Sequence, residues 1–235
     1  MRQLPLAMRL RERALFESFI PGANAAVLAA LQAAAQGGPP RVSWLYGPLG
    51  SGKSHLLQAS GSRALEIGRS AAYLPLDELR KFGPEAMQGR ADVALLALDE
   101  VGSIIGRRDW EEALFALYQG AEERGTTLIA AAEVPVVQLA FVLPDLASRF
   151  MGALPLALQP LDERAQRQAL QARARARGLE LPERSARYLQ QHFRRDLPTL
   201  CQLLDTIDTA SLQAQRRLTV PFIREVLALS PPPSG

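Results

Sequence analysis

A glycine-rich stretch, GPLGSGKS at residues 47–54, separates a strand-like apolar run from a helix-like run. The run before it is VSWLY, and the run after it begins with HLLQAS. Glycine lacks a Cβ and tolerates positive φ, so a loop of this kind can turn its backbone N–H groups inward. Its spacing fits G-x-x-x-x-G-K-[ST], in which those N–H groups and the N-terminus of the next helix hold phosphate oxygens. The stretch, called the phosphate loop below, predicts a nucleotide-binding site.

The side chains of the phosphate loop indicate how the nucleotide is held. Two of the 27 basic residues are lysines, Lys53 and Lys81, and a lysine in the loop indicates a compact point charge for the outer phosphates. The Ser54 hydroxyl is expected to ligate Mg²⁺. The residues expected to contact the nucleotide here are Gly47, Pro48, Gly50, Ser51, Gly52, Lys53, Ser54 and His55.

Two adjacent carboxylates, Asp99 and Glu100, follow the apolar run VALLAL. If this run is a strand of an open α/β sheet, the pair lies at its carboxyl end, where ligands bind such sheets. We expect Asp99 to belong to the Mg²⁺ shell and Glu100 to polarise an attacking water. The alternative is an acidic pair on a surface loop.

Short apolar runs alternate with helical patterns over residues 23–158, which predicts buried parallel strands joined by helices. The clearest helix, DWEEALFALYQGAEERG, places Trp110 and Leu114 on one face and closes at Gly125. After Pro160 no strand candidate remains. The predicted fold class is α/β, a parallel sheet with helices on both faces, followed by a small all-α lid domain. The predicted strands are VSWLY, SAAYLPL, VALLAL, TLIAAA and LPLAL.

The composition is that of an ordinary globular protein and narrows the function classes. The chain has 235 residues and a formal net charge of +3, too small to indicate a nucleic-acid binder. Cys201 is the single cysteine, so an internal disulfide is excluded, and its helical context predicts a buried, unreactive thiol. No apolar run approaches the ~18 residues of a membrane helix and none resembles a signal peptide, so we expect a cytoplasmic protein without a membrane partner.

Arginines are concentrated after Pro160, above all in DERAQRQALQARARARG. A run of charges on one helix is typical of a solvated face, and it also suits a surface for a partner or for DNA. The sequence leaves both interpretations open.

The phosphate loop, the strand that ends in Asp99 and Glu100 and the small helical lid together resemble the AAA+ ATPases. Within them, GSGKSHLLQA closely resembles the phosphate loop of the DnaA-like family, which contains the replication initiator DnaA and the shorter Hda-type regulatory inactivators. FESFIPGAN resembles the segment that borders the adenine pocket in that family, which implies contacts from Phe19 and Ile20. The resemblance covers residues 3–229 and implies ADP or ATP with Mg²⁺. The stretches that resemble the Hda-type lid are QPLDERAQRQALQARARARGLELPE and LDTIDTASLQAQRRLTVPFIREVL.

LPDLASRFMGAL resembles the segment that carries the family's arginine finger, which implies that role for Arg149. An arginine suits the role because its permanently charged, delocalised fork binds charge that develops on a transferred phosphoryl group. Such a finger acts in trans on a neighbouring subunit, which implies paired subunits, with a homodimer or higher oligomer as one form. The alternative is an ion pair with Asp145, one helical turn earlier. Arg107 and Arg108 are interpreted as loop surface.

Both ends of the chain point to the inactivators rather than to the initiator. The chain ends soon after the lid, where an initiator continues into a DNA-binding module. At the start, QLPLAM resembles the Q-L-x-L-x-L peptide by which the inactivators dock on the sliding clamp, the β subunit of DNA polymerase III. Pro5 keeps the segment extended. The residues offered to the clamp are Gln3, Leu4, Leu6 and Met8.

These expectations divide the chain into four parts. They are an extended clamp-binding segment at 1–13, an AAA+ nucleotide-binding α/β domain at 14–160, a helical lid at 161–229 and a disordered tail at 230–235.

Two positions depart from the family pattern. The family usually has an arginine at the start of the third lid helix, where this chain has Pro198, with Arg194 and Arg195 one turn earlier. Near the end of TLIAAAEVP, a small polar residue and an aspartate are usual, and this chain has Ala132 and Glu133. These departures predict an activator of a partner's ATP hydrolysis rather than a strong ATPase.

The resemblance implies a regulator of chromosomal replication initiation. Such a protein would bind adenine nucleotide, dock on the DNA-loaded clamp and use Arg149 to stimulate ATP hydrolysis by DnaA. The product would be inactive ADP-DnaA, which prevents re-initiation, and DNA would be contacted indirectly through the clamp. Two alternatives remain: an autonomous AAA+ ATPase such as a helicase loader or remodelling factor, which Glu100 favours, and a DNA-binding adaptor that uses the arginine-rich lid.

Overall fold

A five-stranded parallel sheet lies at the centre of the larger part of the chain in the computed structural model, which describes residues 14–193 and 197–229. The strands are β1 (Val42–Tyr46), β2 (Ala71–Pro75), β3 (Leu95–Asp99), β4 (Thr127–Ala132) and β5 (Leu154–Ala157). Their order across the sheet is β2-β3-β4-β1-β5, and every neighbouring pair is parallel. All five predicted strands are confirmed, because strands covered on both faces are continuous apolar runs in the sequence.

Helices cover both faces of this sheet. Those before Pro160 are α1 (Ala25–Ala35), α2 (Lys53–Glu66), α3 (Leu76–Leu79), α4 (Arg108–Glu123) and α5 (Pro144–Met151). Leu31 of α1 and Leu56 of α2 belong to the core on one face. Trp110 of α4 and Phe150 of α5 belong to the core on the other face. The predicted helical pattern of α4 is therefore confirmed as a buried face. Short 3₁₀ turns lie at Phe16–Ser18, Pro84–Met87, Val101–Ser103 and Val136–Gln138.

The parallel arrangement gives the sheet two chemically different ends. At its carboxyl end, where the strands finish, lie Tyr46, Asp99 and Ala132. At its amino end, where the strands begin, lie Val42 and Leu154. The phosphate loop follows β1 and the acidic pair follows β3, so both emerge at the carboxyl end with β4 between them. This placement follows the general rule for ligand sites of open α/β sheets.

Four helices after Pro160 pack around a core of their own. They are α6 (Glu163–Ala176), α7 (Glu183–His192), α8 (Leu197–Ala214) and α9 (Val220–Leu229). The hydroxyl of Thr219 accepts a hydrogen bond from the Phe222 N–H at 3.5 Å and so caps α9. The helical lid is confirmed, and the boundary at Pro160 stays a prediction. The side of α8 that faces this core is an apolar stripe of Leu200, Leu203, Leu204 and Ile207.

Several lid arginines form ion pairs within the lid. The Arg177 Nη1 lies 2.6 Å from Asp205 Oδ1, and the Arg173 Nη2 lies 3.3 Å from the same oxygen. The Arg167 Nε lies 3.1 Å from Glu183 Oε1. These three arginines are therefore partly buried and ion-paired, whereas Arg164 and Arg175 of the same helix are exposed to solvent, so the solvated face is only part of α6. In the described part of the lid, the exposed arginines that form no ion pair are Arg164, Arg175, Arg184, Arg217 and Arg224.

The remaining expectations concern the thiol, the membrane and the ends of the chain. Cys201 is partly buried against the lid core, and burial raises the pKa of its thiol despite the opposing charges of Arg173 and Arg177. No helix in the described ranges is long and apolar enough to cross a membrane. The predictions at residues 1–13, 194–196 and 230–235 lie outside the described residues, among them Gln3, Leu4, Leu6, Met8, Arg194 and Arg195.

Candidate functional site: a phosphate loop at the carboxyl end of the sheet

The phosphate loop has the backbone that its glycines predict. Gly50 and Gly52 have φ of 78° and 99°, values that other residues rarely adopt. Gly52 immediately precedes the 14-residue helix α2, so the positive end of that helix starts at the loop. Gly47 is required for a different reason, because an added Cβ would lie 2.6 Å from the carbonyl oxygen of Leu158. The loop therefore needs glycine at three of its predicted positions.

Two polar groups of the loop are placed for an anion. Lys53 is 3% exposed, and its Nζ donates to the carbonyl oxygens of Gly47 at 2.9 Å and Pro48 at 3.3 Å, so the ammonium spans the loop. The Ser51 hydroxyl is buried and has no hydrogen-bond partner among the described residues. A buried polar group without a partner is costly, and a phosphate oxygen would satisfy it. Ser54 is exposed in the first turn of α2.

The acidic pair lies at the carboxyl end of β3, as predicted. Asp99 is 2% exposed; its Oδ2 accepts from the Tyr73 hydroxyl at 2.6 Å, and its Oδ1 accepts from the Glu100 N–H at 3.0 Å. The alternative of a surface acid is therefore wrong for Asp99. Glu100 has φ of 52°, and a non-glycine residue in this left-handed region carries about 1–3 kcal/mol of strain. Strain of this kind is concentrated at functional sites.

Glu100 is electrostatically coupled to the phosphate loop. Burial raises the pKa of its carboxyl, the Lys53 ammonium opposes that rise, and Asp99, Glu133 and Asp77 add to it. A partly buried carboxyl with a raised pKa is a more basic group than an exposed one, as a general base requires. The structure thus brings Lys53, Asp99 and Glu100 into one site.

The segment before α1 folds onto the phosphate loop. The Phe19 ring lies against Gly52, whose added Cβ would be 2.7 Å from Phe19 Cε2. The ring centroids of Phe19 and His55 are 5.8 Å apart, and the His55 Nε2 donates to the Leu15 carbonyl oxygen at 2.9 Å. Burial lowers the pKa of His55, the Leu15 carbonyl opposes this, and Arg173 of the lid adds to the lowering. Phe19 and His55 therefore meet at the loop, where burial disfavours the charged form of His55.

Asn24 is a residue that sequence reasoning missed. It is 3% exposed; its Nδ2 donates to the Gln159 carbonyl oxygen at 3.0 Å, and its Oδ1 accepts from the Gln159 N–H at 2.8 Å. Gln159 connects β5 to the lid, so Asn24 fixes the segment that carries Phe19 and the partly buried Ile20 against that connection. The two partners are 135 residues apart, and no local pattern could have revealed the contact.

Arg149 is exposed and belongs to a surface ion pair. Its side chain is 43% exposed, and its Nη1 lies 2.8 and 2.9 Å from the two carboxylate oxygens of Glu122. The alternative of a pair with Asp145 is wrong, since the partner is an acid of α4 rather than of its own helix. The interpretation of Arg107 and Arg108 as surface is confirmed, because both are exposed and pair with neighbouring acids of α4.

The topology places Arg149 at the amino end of the sheet, opposite the phosphate loop of its own chain. Arg149 lies near the end of α5, shortly before β5, and the first residue of β5, Leu154, pairs with Ser43 of β1. The loop begins at Gly47, after β1 has crossed the sheet, and a rise of about 3.3 Å per residue makes that distance roughly 13 Å. Glu122 is near the C-terminal end of α4, which is the same end of the sheet. Arg149 therefore points away from the phosphate site of its own subunit.

Glu111 is a second residue that sequence reasoning missed. It is 0% exposed and accepts backbone hydrogen bonds from Gly106 at 2.7 Å, Val142 at 2.9 Å and Leu143 at 2.7 Å. The carboxylate thus joins the loop after the acidic pair to the start of α5, the helix that carries Arg149. Its position within the apolar stripe of α4 was a usable signal, because an acid there must find internal partners.

The departure from the family pattern at the end of β4 is visible in the structure. Ala132 is buried at the end of β4 and supplies no polar side chain, and Glu133 follows it as an exposed residue. Glu133 is close enough to Glu100 to raise its pKa. The side chain of Pro198 lies outside the described residues.

The donor set fits a nucleotide with Mg²⁺ better than a metal bound by protein alone. Within the described ranges, no group of three or more His, Cys, Asp or Glu side chains could hold a metal ion. Magnesium usually takes one or two carboxylates together with phosphates and water. Ser54 and Asp99 match that pattern, and the partnerless Ser51 hydroxyl and the Lys53 ammonium match the phosphates.

Two family models together match most of the chain. The model for the bacterial DnaA ATPase domain matches residues 10–157, and the model for the Hda lid domain matches residues 162–227. The first match alone covers well over half of the sequence.

Solved structures share the fold at low sequence identity. Domain III of the DnaA initiation protein of Thermotoga maritima has 22% identity and a TM-score of 0.76, with 97% of this chain and 98% of that chain covered. AMPPCP-bound DnaA of Aquifex aeolicus has 24% identity and a TM-score of 0.67, with 84% and 66% covered. A RuvB mutant of Thermotoga maritima has 16% identity and a TM-score of 0.62, with 93% and 72% covered. The chain, with its intact phosphate loop, parallel sheet and helical lid, belongs to the DnaA family of AAA+ ATPases, and its lid is of the Hda type.

Proposed function

We propose that this AAA+ protein binds an adenine nucleotide, ADP or ATP, with Mg²⁺ at the phosphate loop. The left-handed glycines, the buried Lys53 ammonium and the partnerless Ser51 hydroxyl support this site. Similar DnaA structures have been solved with AMPPCP, an adenine nucleotide. Phe19 and Ile20 are the proposed contacts of the adenine ring, and Ser54 and Asp99 the proposed ligands of Mg²⁺.

In this proposal, the nucleotide bound by this chain keeps the chain's own site in shape. The group that acts on the partner is Arg149. Arg149 is exposed at the amino end of the sheet, while its own phosphate loop is at the carboxyl end. An arginine in that position can serve as a finger only for nucleotide held by another subunit. The proposed recipient is ATP-bound DnaA, and the outcome is ATP hydrolysis, inactive ADP-DnaA and fewer initiation events. The exposed position of Arg149, opposite its own loop, is the observation that carries this proposal.

The ion pair that holds Arg149 in this structure is weak enough to break. Its partner Glu122 is 53% exposed, and such surface pairs contribute about 0–1 kcal/mol. Transfer of the guanidinium from a carboxylate to the charge that develops on a phosphoryl group therefore costs little. Arginine fingers contribute about 10³–10⁵ in rate where they complete other sites.

Docking on the sliding clamp belongs to the same proposal and rests on the sequence of the N-terminal segment. Gln3, Leu4, Leu6 and Met8 are the proposed contacts, and their segment reaches the described residues at Ala14. Loading the protein on DNA-bound clamp would concentrate Arg149 near DnaA, which is the effect of a tether on effective concentration.

A reconstituted hydrolysis assay tests the central step. DnaA loaded with ATP is mixed with DNA-loaded clamp and this protein, and ADP formation by DnaA is followed. Arg149→Ala should abolish most of the stimulation and leave the binding of ADP by the variant unchanged. Arg108→Ala is the matched control, because it removes another exposed arginine of a surface ion pair. If Arg149→Ala stimulates DnaA as well as Arg108→Ala does, the finger proposal is wrong.

The clamp contact is tested separately by pull-down. Clamp binding should be lost in the double variant Gln3→Ala with Leu4→Ala, while ADP binding by that variant persists. Undiminished clamp binding would remove the N-terminal segment from the proposal and leave the role of Arg149 in place.

A second candidate is an autonomous ATPase, which the position of Glu100 favours. Its carboxyl has a raised pKa and lies beside Lys53, where a base for water activation is needed. Ala132 at the end of β4 argues for weak turnover, because it offers no group to orient the water. Steady ATP hydrolysis by the isolated protein, abolished by Glu100→Gln, would support this candidate over the first.

A further inference from the structure

We propose that Tyr73 is a positioning residue for the Mg²⁺ of the bound nucleotide, acting through the hydrogen bond from its hydroxyl to Asp99. This inference rests on the proposed nucleotide and Mg²⁺ site. It assigns a role to a residue of β2, a strand that carries none of the phosphate-loop or acidic residues predicted from the sequence.

The register of β2 and β3 explains why Tyr73 reaches Asp99. Pro75 is the neighbour of Asp99 across the two strands, and Tyr73 is the neighbour of Ala97. Side chains two residues apart on a strand share a face, so Tyr73 is the diagonal neighbour of Asp99 on one face. Diagonal positions lie about 7–8 Å apart, within reach of an aromatic side chain. The Tyr73 hydroxyl accordingly donates to Asp99 Oδ2 at 2.6 Å.

The orientation of the Asp99 carboxylate depends on two donors. Its Oδ2 accepts from the Tyr73 hydroxyl and its Oδ1 accepts from the Glu100 N–H at 3.0 Å. Asp99 is 2% exposed and forms no ion pair with any residue in the described ranges. Without the Tyr73 hydroxyl, one backbone N–H remains to orient the carboxylate, which can then rotate more freely about χ2.

The same hydroxyl is close to α2. Burial and Asp99 raise the pKa of the Tyr73 hydroxyl, and the polar side chains of Gln58 and Ser54 on α2 oppose that rise. Tyr73 thus hydrogen-bonds to Asp99 of β3 and is close to α2, the helix that carries Ser54. Its hydroxyl is bonded to one proposed Mg²⁺ ligand and is close to the helix that carries the other.

The physical consequence concerns the metal more than the nucleotide. The phosphates are held by backbone N–H groups and Lys53, none of which depends on Tyr73. Groups that orient metal ligands typically change metal affinity by about 10- to 100-fold when they are removed. Tyr73→Phe keeps the ring and removes only the hydroxyl, so it should reduce Mg²⁺ affinity by about this factor.

The test is a titration of ADP against the full chain at a series of Mg²⁺ concentrations and in EDTA. The wild-type protein, Tyr73→Phe and Tyr188→Phe are compared. Tyr188 is the matched control, because its ring stacks on His192 and lies under Arg224 in the lid, contacts that do not use the hydroxyl. Tyr73→Phe should need about 10- to 100-fold more Mg²⁺ to reach its full ADP affinity, while its affinity in EDTA stays at the wild-type value. Tyr188→Phe should match the wild type in both conditions.

A second variant separates positioning from a general loss of fold. In an Asp99→Asn background, the carboxylate that Tyr73 positions is gone, so adding Tyr73→Phe should not weaken Mg²⁺ dependence further. Equal loss of ADP affinity with and without Mg²⁺ in Tyr73→Phe would mean a structural role and would overturn the inference. An unchanged Mg²⁺ requirement would overturn it as well, and so would a wild-type ADP affinity that does not depend on Mg²⁺. In these cases nucleotide binding itself stands, whereas a wild-type protein that binds no ADP refutes the proposed function.

Discussion

Replacing Glu111 by glutamine tests whether one buried carboxylate fixes the start of the helix that carries Arg149. Glu111 is 0% exposed and accepts from the N–H groups of Gly106, Val142 and Leu143. One of its oxygens serves Gly106, the other serves Leu143, and Val142 contacts both. Glutamine has the same size, so the substitution changes the charge and one acceptor without opening a cavity.

The magnitude follows from the number of donors. Whichever way the amide turns, the N–H of either Gly106 or Leu143 faces an NH₂ group, and an unsatisfied buried donor costs about 1–3 kcal/mol. The two remaining hydrogen bonds lose their charged acceptor, which lowers their contribution by about 1 kcal/mol each. The smaller desolvation cost of a neutral amide offsets part of this loss. We expect Glu111→Gln to lower the free energy of unfolding by about 2–4 kcal/mol.

Thermal unfolding measures this effect directly. In a chain of this size, 1 kcal/mol corresponds to about 2–4 °C, so Glu111→Gln should lower Tm by about 5–15 °C. Glu112→Gln is the matched control, since Glu112 is the next residue of α4 and pairs with Arg108 on the surface at 2.9 Å. A surface substitution of that kind stays within about 0.5 kcal/mol. Equal Tm values for the two variants would refute the assignment of Glu111 as the anchor of α5.

Three further predictions concern the phosphate site and its surroundings. Burial raises the pKa of the Glu100 carboxyl in the folded protein, so the folded protein keeps this proton to higher pH than the unfolded protein does. Ionisation of Glu100 therefore reduces stability as the pH rises. We expect Glu100→Gln to have a higher Tm than the wild type at pH 8, and the difference should vanish at acidic pH. Burial lowers the folded-state pKa of His55, so stability falls as pH drops below the ordinary histidine value; His55→Gln should lose this part of the pH dependence in urea unfolding between pH 7 and 5. Gly47→Ala should abolish ADP binding in calorimetry because its Cβ would meet the Leu158 carbonyl at 2.6 Å, whereas Gly61→Ala, inside α2 with its nearest new contact at 3.9 Å, should bind ADP normally and unfold at an equal or higher temperature.

The strands and the phosphate loop were predictable because their signals are local. VSWLY and TLIAAA are apolar except for the buried Ser43 and Thr127, as is typical of strands covered on both faces, and each lies where it was predicted. The roles of Gly52 and Lys53 depend on backbone geometry and charge within eight consecutive residues, so they can be recognised from that stretch alone. A motif of this kind carries its own structural context, the strand before it and the helix after it. Asp99 could be placed at the carboxyl end of the sheet for the same reason.

The partners of isolated polar side chains were not predictable. The sequence offered Asp145 for Arg149, because residues one turn apart on a helix are neighbours, and the structure supplies Glu122 from another helix. The sequence suggested that the lid arginines form a charged face. In the structure, Arg173 and Arg177 form ion pairs with Asp205, because α6 and α8 pack together. In each case the sequence identifies the charged arginine, and the packing of the helices decides which acid lies next to it.

Sequence by itself determined which backbone can form at the phosphate loop and which runs can be buried strands, because φ preferences and hydrophobic periodicity act over a few residues. Tertiary structure decided what those elements accomplish together. Strand order placed the carboxyl ends of β1 and β3 on either side of β4 at one edge of the sheet. The register of β2 brought Tyr73 to Asp99, and helix packing placed Arg149 at the opposite edge. These relations join residues far apart in the chain, so they form only when the strands have paired in their native order and the helices have packed on the sheet.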